Sequence, residues 1–145
     1  MKTFNDMNTD KGPALQLVLK RKWFEMIASG EKGEEYRDIT DYWVQRLFNI
    51  GVFNDNYDLI DVKPITKAYL KEFHKNGGDL YQAISDGIFV PRYCGDVIFY
   101  EGYAKGRRSV CREITDTEPG EGLISWGAEP GHVYIIISLG KFVNL

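Results

Sequence analysis

The sequence predicts an α+β fold, and three observations carry that expectation. An opening unit reads strand, amphipathic helix, glycine stop and second strand. A middle stretch carries helical spacing between turn signals, and the C-terminal half shifts to the period of two that strands require. At 145 residues with 43% hydrophobic content, the chain is long enough to bury one core and short for two typical domains. One domain over residues 14–145 is therefore expected, preceded by a polar, unpatterned leader over residues 1–13 that ends at Gly12-Pro13.

Leu15, Leu17 and Leu19 alternate with Gln16, Val18 and Lys20, as a half-buried first strand would. From Lys22 onward Trp23, Phe24, Ile27 and Ala28 recur at helical spacing, and Gly30 is placed to stop that helix in the left-handed conformation. Residues 33–38 read as a short strand, with Glu35 and Arg37 on one face and Glu34, Tyr36 and Asp38 on the other. Asp41 is the expected cap of a helix carrying Trp43, Leu47 and Ile50, which Gly51 and Asn54-Asp55-Asn56 interrupt. A further helix is expected from Pro64 through Ile65, Tyr69 and Phe73 to Asn76-Gly77-Gly78. Asp79 with Gln82 matches a capping box for a short helix ended by Gly87. Strands are expected over residues 97–103, 109–114 and 133–139, with residues 115–131, rich in Gly, Pro and Glu, forming a long loop. No internal repeat is present.

Charge and composition narrow the function. Eighteen Lys and Arg against 21 Asp and Glu give a net charge of −3, so any nucleic-acid contact has to come from a local basic patch. Two such runs exist, Lys20-Arg21-Lys22 and Lys105 with Arg107-Arg108, although short charge runs are more often plain solvated surface. No stretch is long and apolar enough for a membrane span or signal core, which points to the cytoplasm. Cys94 and Cys111 stand singly, without CxxC spacing or a His cluster, so neither a metal site nor an obligatory disulfide is expected. There is no P-loop or GxGxxG, and no cofactor is expected. His74 and His132 lie in no catalytic motif and read as structural.

The most informative segment is Gly30-Glu31-Lys32-Gly33-Glu34-Glu35-Tyr36-Arg37. A sharp turn at Gly30 brings Lys32 to the mouth of a strand bearing Glu35 and Arg37 on one face. Arg37 offers a planar fork for phosphate or a base edge, Glu35 an acceptor for an exocyclic amine, and Lys32 a charge anchor or, if desolvated, a base. Spacing alone is met more often by something plainer: Lys32 complementing a helix end while Glu35 and Arg37 pair structurally.

The pattern Gly30-x-Lys32-x-x-Glu35-x-Arg37, with the preceding helix bearing Trp23 and Phe24 and with Gly95-Asp96 opening a later strand, resembles the ASCH family. That resemblance implies a PUA-like mixed β-barrel with flanking helices, and a helical insertion over residues 41–93 between the second strand and the rest of the barrel. It also implies RNA or nucleotide binding in a groove beside the motif. Lys32, Arg37, Lys22, Arg107 and Arg108 would meet phosphate, Tyr36 or Trp126 a base, and Glu35 a base amine. For Trp126, folding back onto the barrel as a plug is an equal alternative.

Two enzyme alternatives accompany the resemblance. One branch of the family is a small amidohydrolase acting on acylated cytidine, in which the motif lysine is catalytic, a threonine three residues later assists and a distant glutamate completes the site. Lys32 matches the lysine, Glu35 stands where that threonine would be, and Glu118 and Glu121 are the candidates for the distant glutamate. Other relatives suggest a ribonuclease using the same residues. A third reading, independent of the motif, is a protein-interaction domain whose insertion docks a partner through exposed aromatics.

Overall fold

The computed structural model describes residues 12–144, and almost all of the expected leader lies outside that range. The described chain is mixed α+β and divides into two compact units. One spans Arg37–Arg92; the other joins the described part of Lys11–Tyr36 to that of Tyr93–Leu145.

The second of these units holds a curled five-stranded sheet, half of a barrel, in the order β1-β6-β7-β8-β2. Its strands are β1 (Leu15–Leu19), β2 (Glu34–Asp38), β6 (Asp96–Glu101), β7 (Ser109–Glu121) and β8 (Val133–Val143). The leucine alternation behaves as expected: Leu15, Leu17 and Leu19 are buried while Gln16 is exposed. β1 runs parallel to β6, with Leu15 opposite Val97 and Leu17 opposite Phe99, and β6 and β8 each pair antiparallel with β7. Helix α1 (Arg21–Ala28) adds Phe24 and Ile27 to a core completed by Val97, Phe99, Ile135 and Ile137. Each such side chain contributes about 1.5–3 kcal/mol on leaving water.

The expected loop over residues 115–131 is not observed, because β7 continues to Glu121 against the isoleucines of β8. Thr117 faces Ile137, Glu118 Ile136 and Pro119 Ile135, after two register shifts between Arg112 and Asp116. Gly120 fits that ladder through its lack of a side chain, since a Cβ there would lie 2.9 Å from Ile136 Cδ1. Cross-strand packing outweighs the turn propensity of Gly and Pro. The remaining connection holds a 3-10 turn, Ile124–Trp126, closed by Gly127 at φ 103°.

The helical insertion expected over residues 41–93 carries strands as well as helices. It contains a three-stranded sheet, ordered β4-β3-β5, of β3 (Phe48–Phe53), β4 (Leu59–Pro64) and β5 (Phe89–Pro91), with helices α2 (Asp41–Leu47), α3 (Lys67–Lys75) and α4 (Leu80–Ser85). Three boundaries differ from expectation for identifiable reasons. Thr40, not Asp41, caps α2 by accepting from the Trp43 N–H at 3.3 Å. Ile50 belongs to β3, whose residues pair with β4 on one side and β5 on the other. Pro64 ends the edge strand β4, where its missing N–H costs no ladder bond, and Thr66 caps α3 through the Tyr69 N–H at 3.0 Å. Asp79 caps α4 through the Gln82 N–H at 2.9 Å, as the sequence indicates.

Candidate functional site

The turn after α1 determines where the motif's charges go. Gly30 sits at φ 86°, in the region that glycine occupies without a Cβ penalty, and its N–H bonds to the Ile27 carbonyl at 3.2 Å. The Lys32 N–H then reaches back to the Met26 carbonyl at 2.9 Å. This folding-back turns the Lys32 side chain inward instead of presenting it at the strand's mouth, and Lys32 is only 2% exposed.

Lys32 Nζ donates to Glu35 Oε1 at 2.7 Å, and Glu35 is 4% exposed, so the two form a buried ion pair. Its surroundings are aromatic. The ammonium lies 5.2 Å from the ring centroid of Trp23 and 5.2 Å from that of Tyr36, within cation–π range. Lys22 approaches the Trp23 ring at 4.7 Å, so one indole serves both cations. The Trp126 ring packs on Gly33, where a Cβ would lie 3.6 Å from its edge. The Trp23 ring lies over Gly127, about 3.0 Å from the place a Cβ would take. The 122–128 segment therefore packs as a cover on Gly33, Trp23 and Tyr36, residues that neighbour the pair.

Tyr36 ties this cover to β2. Its hydroxyl donates to Glu34 Oε1 at 2.7 Å and accepts from the Leu123 N–H at 2.9 Å. Burial pushes the Tyr36 pKa up to about 12; the Leu123 N–H opposes that rise, while the Glu34 hydrogen bond and the charges of Glu34 and Glu35 add to it. Tyr134 packs against Tyr36 at 5.5 Å between centroids and against His132 at 4.2 Å, and its hydroxyl accepts from the Glu129 N–H at 3.0 Å.

Beneath the pair lies a buried cation that the sequence reading missed. Arg112 Nη1 donates to the Lys32 carbonyl at 2.7 Å and to the Ile27 carbonyl at 3.3 Å, and its Nε donates to Gly140 O at 3.2 Å. Its guanidinium also lies 4.7 Å from the Phe142 ring, and burial lowers its pKa. Arg112 thus clamps the turn carrying Lys32 to β7 and β8. The one sequence signal was an arginine inside a period-2 apolar strand; the register shift that buries it alongside Cys111 has no local signature.

The remaining candidates have other partners. Arg37 lies two residues beyond Glu35 on β2, and its guanidinium is 4.8 Å from the Trp43 ring. Glu118 and Glu121 are not loop acids but exposed residues of β7, and neither forms an ion pair among the described residues. Arg107 donates to the Gly102 carbonyl at 3.1 Å and lies over the Tyr100 ring. Arg108 is engaged by two carboxylates, Glu25 and Glu101, and its hydrogen bond holds the Glu101 pKa below the usual carboxylate range. The site brought together is therefore Lys32, Glu35, Tyr36 and Trp126, with Trp23, Lys22 and Arg112 around them.

Among the described residues no helix is long and apolar enough to cross a membrane. Compared with family models, curated proteins and solved structures, the chain matches none.

Proposed function

We propose that the chain is an RNA- or nucleotide-binding domain of the ASCH type, PUA-like in fold and cytoplasmic, that receives a base at the aromatic-walled Lys32–Glu35 centre. The observation that carries this reading is the buried ion pair itself, 2.7 Å long and faced by Trp23 and Tyr36. Apolar residues of similar volume would hold such a position as well or better, so a buried pair is weak evidence of a stability role and a pointer to function. Its chemistry suits a nucleobase: Glu35 accepts from an exocyclic amine, Lys32 donates to a ring carbonyl, and indole or phenol faces stack on the base. Access requires the 122–128 cover to lift, and its exposed Leu123 and Ile124 and flanking Gly122 and Gly127 are suited to that.

The test is a titration of intrinsic tryptophan fluorescence with cytidine, uridine and short oligoribonucleotides. The double variant Lys32→Met/Glu35→Leu keeps the volume and removes the recognition chemistry. Retained folding with at least a tenfold loss of affinity is expected; unchanged affinity would remove the reading.

A second reading, amidohydrolysis of an acylated nucleoside, is favoured by the direct contact of Lys32 Nζ with Glu35 Oε1. An ammonium proton would first pass to Glu35; the neutral amine of Lys32 would then take a proton from a water molecule as its oxygen adds to the acyl carbon, and the C–N4 bond would break with that proton returned to N4, releasing the carboxylic acid and the nucleoside. Glu35 would stand in this scheme where the hydrolytic branch has threonine. Turnover of N4-acetylcytidine by the wild type and none by Lys32→Met would support this reading, and no turnover by either would end it.

A further inference from the structure

A groove of about 550 Å3 lies between α2 and α3 in the Arg37–Arg92 unit, and its lining is cationic. Lys67, Lys71 and His74 recur at intervals of four and three along α3, so they share one face of that helix, and Arg46 contributes from α2. The unit as a whole is not basic, with seven Lys and Arg against eight Asp and Glu over Arg37–Arg92. Positive charge is therefore concentrated in the groove.

The cations there are available to a ligand. Arg46, Lys67 and Lys71 form no ion pair among the described residues, and the single lining carboxylate, Asp41, is covered by His74 Nε2 at 2.7 Å. Arg46 is held in position: its guanidinium stacks 3.3 Å from the Tyr42 ring centroid and Nη1 donates to the Tyr42 carbonyl at 3.1 Å. Leu70 forms an apolar floor and is itself buried.

We propose that this groove binds the phosphodiester backbone of a single-stranded nucleic acid, at a site distinct in chemistry from the Lys32–Glu35 centre. The choice of backbone over base follows from the lining. Arg46 covers a face of the Tyr42 ring and Asp41 engages the His74 imidazole, whereas two lysines and a fixed guanidinium are suited to anionic oxygens. The span from Lys67 to His74 is about 10 Å of helix, room for more than one phosphate of an extended strand.

Fluorescence anisotropy with labelled decauridylate and decathymidylate, over a series of salt concentrations, tests the proposal. Three cationic contacts predict a slope of log K against log salt near −2 for the wild type. Lys67→Ala/Lys71→Ala is expected to bind about tenfold more weakly at low salt and to lower the steepness of that slope by about 1.4. Both side chains are exposed, so thermal unfolding should show the fold intact. Lys63→Ala/Lys141→Ala removes the same charge elsewhere and should leave affinity and slope near wild type. The proposal is overturned if the groove variant keeps wild-type affinity and slope, or if the control loses as much as the groove variant does. Lys32→Met/Glu35→Leu tests the other site on the same probes: it should leave the salt slope of the groove unchanged, so failure of one site does not imply failure of the other.

Discussion

In the unit built on the five-stranded sheet, Lys32 is almost wholly buried, paired with Glu35 and walled by Trp23 and Tyr36. In the Arg37–Arg92 unit, Lys67 and Lys71 are exposed on α3 without an ion-pair partner among the described residues. The same ammonium group is thus used in two dielectric settings. Removed from water, it is locked to one carboxylate and its loss is felt by the fold. Left in water, it contributes almost nothing to stability and acts at range on anions, subject to screening within about 8–10 Å at ordinary ionic strength.

The largest effect that can break this contrast is at Glu35. Glu35→Ala leaves the Lys32 ammonium buried without its counter-charge and should cost about 3–5 kcal/mol in denaturant unfolding, whereas Lys32→Met/Glu35→Leu should be near neutral or stabilising. A single-variant cost below about 1 kcal/mol would mean that the pair is not desolvated. Next, Gly122→Ala should cost about 1–3 kcal/mol, because the new Cβ would lie 2.5 Å from the Tyr36 ring and 2.8 Å from Ala128 Cβ. A thermal melt matching wild type would show that the cover yields freely.

A smaller effect is a pH dependence. The folded-state pKa of Tyr36 is raised to about 12 from an unfolded value of 10.0, so its contribution is fully present below pH 10. It is lost as pH rises toward 12. Tyr36→Phe should lose about 1 kcal/mol at neutral pH through the missing hydroxyl bonds, and should flatten the alkaline fall in stability expected for wild type. Parallel alkaline curves for the two proteins would contradict this assignment. Smallest of all, Lys71→Ala should change unfolding free energy by less than about 0.5 kcal/mol. A larger loss would show that Lys71 serves the fold and would erase the contrast between the units.

The sequence made the opening unit readable because its signals are local: leucines at period two, an amphipathic helix and a glycine at a positive φ. Capping of α4 by Asp79 was readable for the same reason. Other features depend on partners far along the chain. The extension of β7 through Pro119 and Gly120 depends on β8, and Phe48–Phe53 becomes a strand by pairing with β4 and β5. At the site, Lys32 and Glu35 were identified from spacing, but their burial rests on Arg112 and on the 122–128 cover, which no short motif encodes. Glu118 and Glu121 illustrate the converse, since composition made them loop acids and a ladder partner made them strand residues.

The parallel pairing of β1 with β6 has a consequence for the order in which the protein is made. Leu15 waits for Val97, and the carbonyl of Lys32 waits for Arg112, so both segments leave the ribosome well before these partners and remain without them until the later strands have followed. Closing a contact across some eighty intervening residues carries a loop-entropy cost that local helices avoid. The Arg37–Arg92 segment, whose β3, β4 and β5 pair with one another, meets no such delay. During synthesis, then, Lys32 is the last part of its neighbourhood to be enclosed, and an unfinished chain leaves that lysine and its aromatic walls open to solvent and to chaperones.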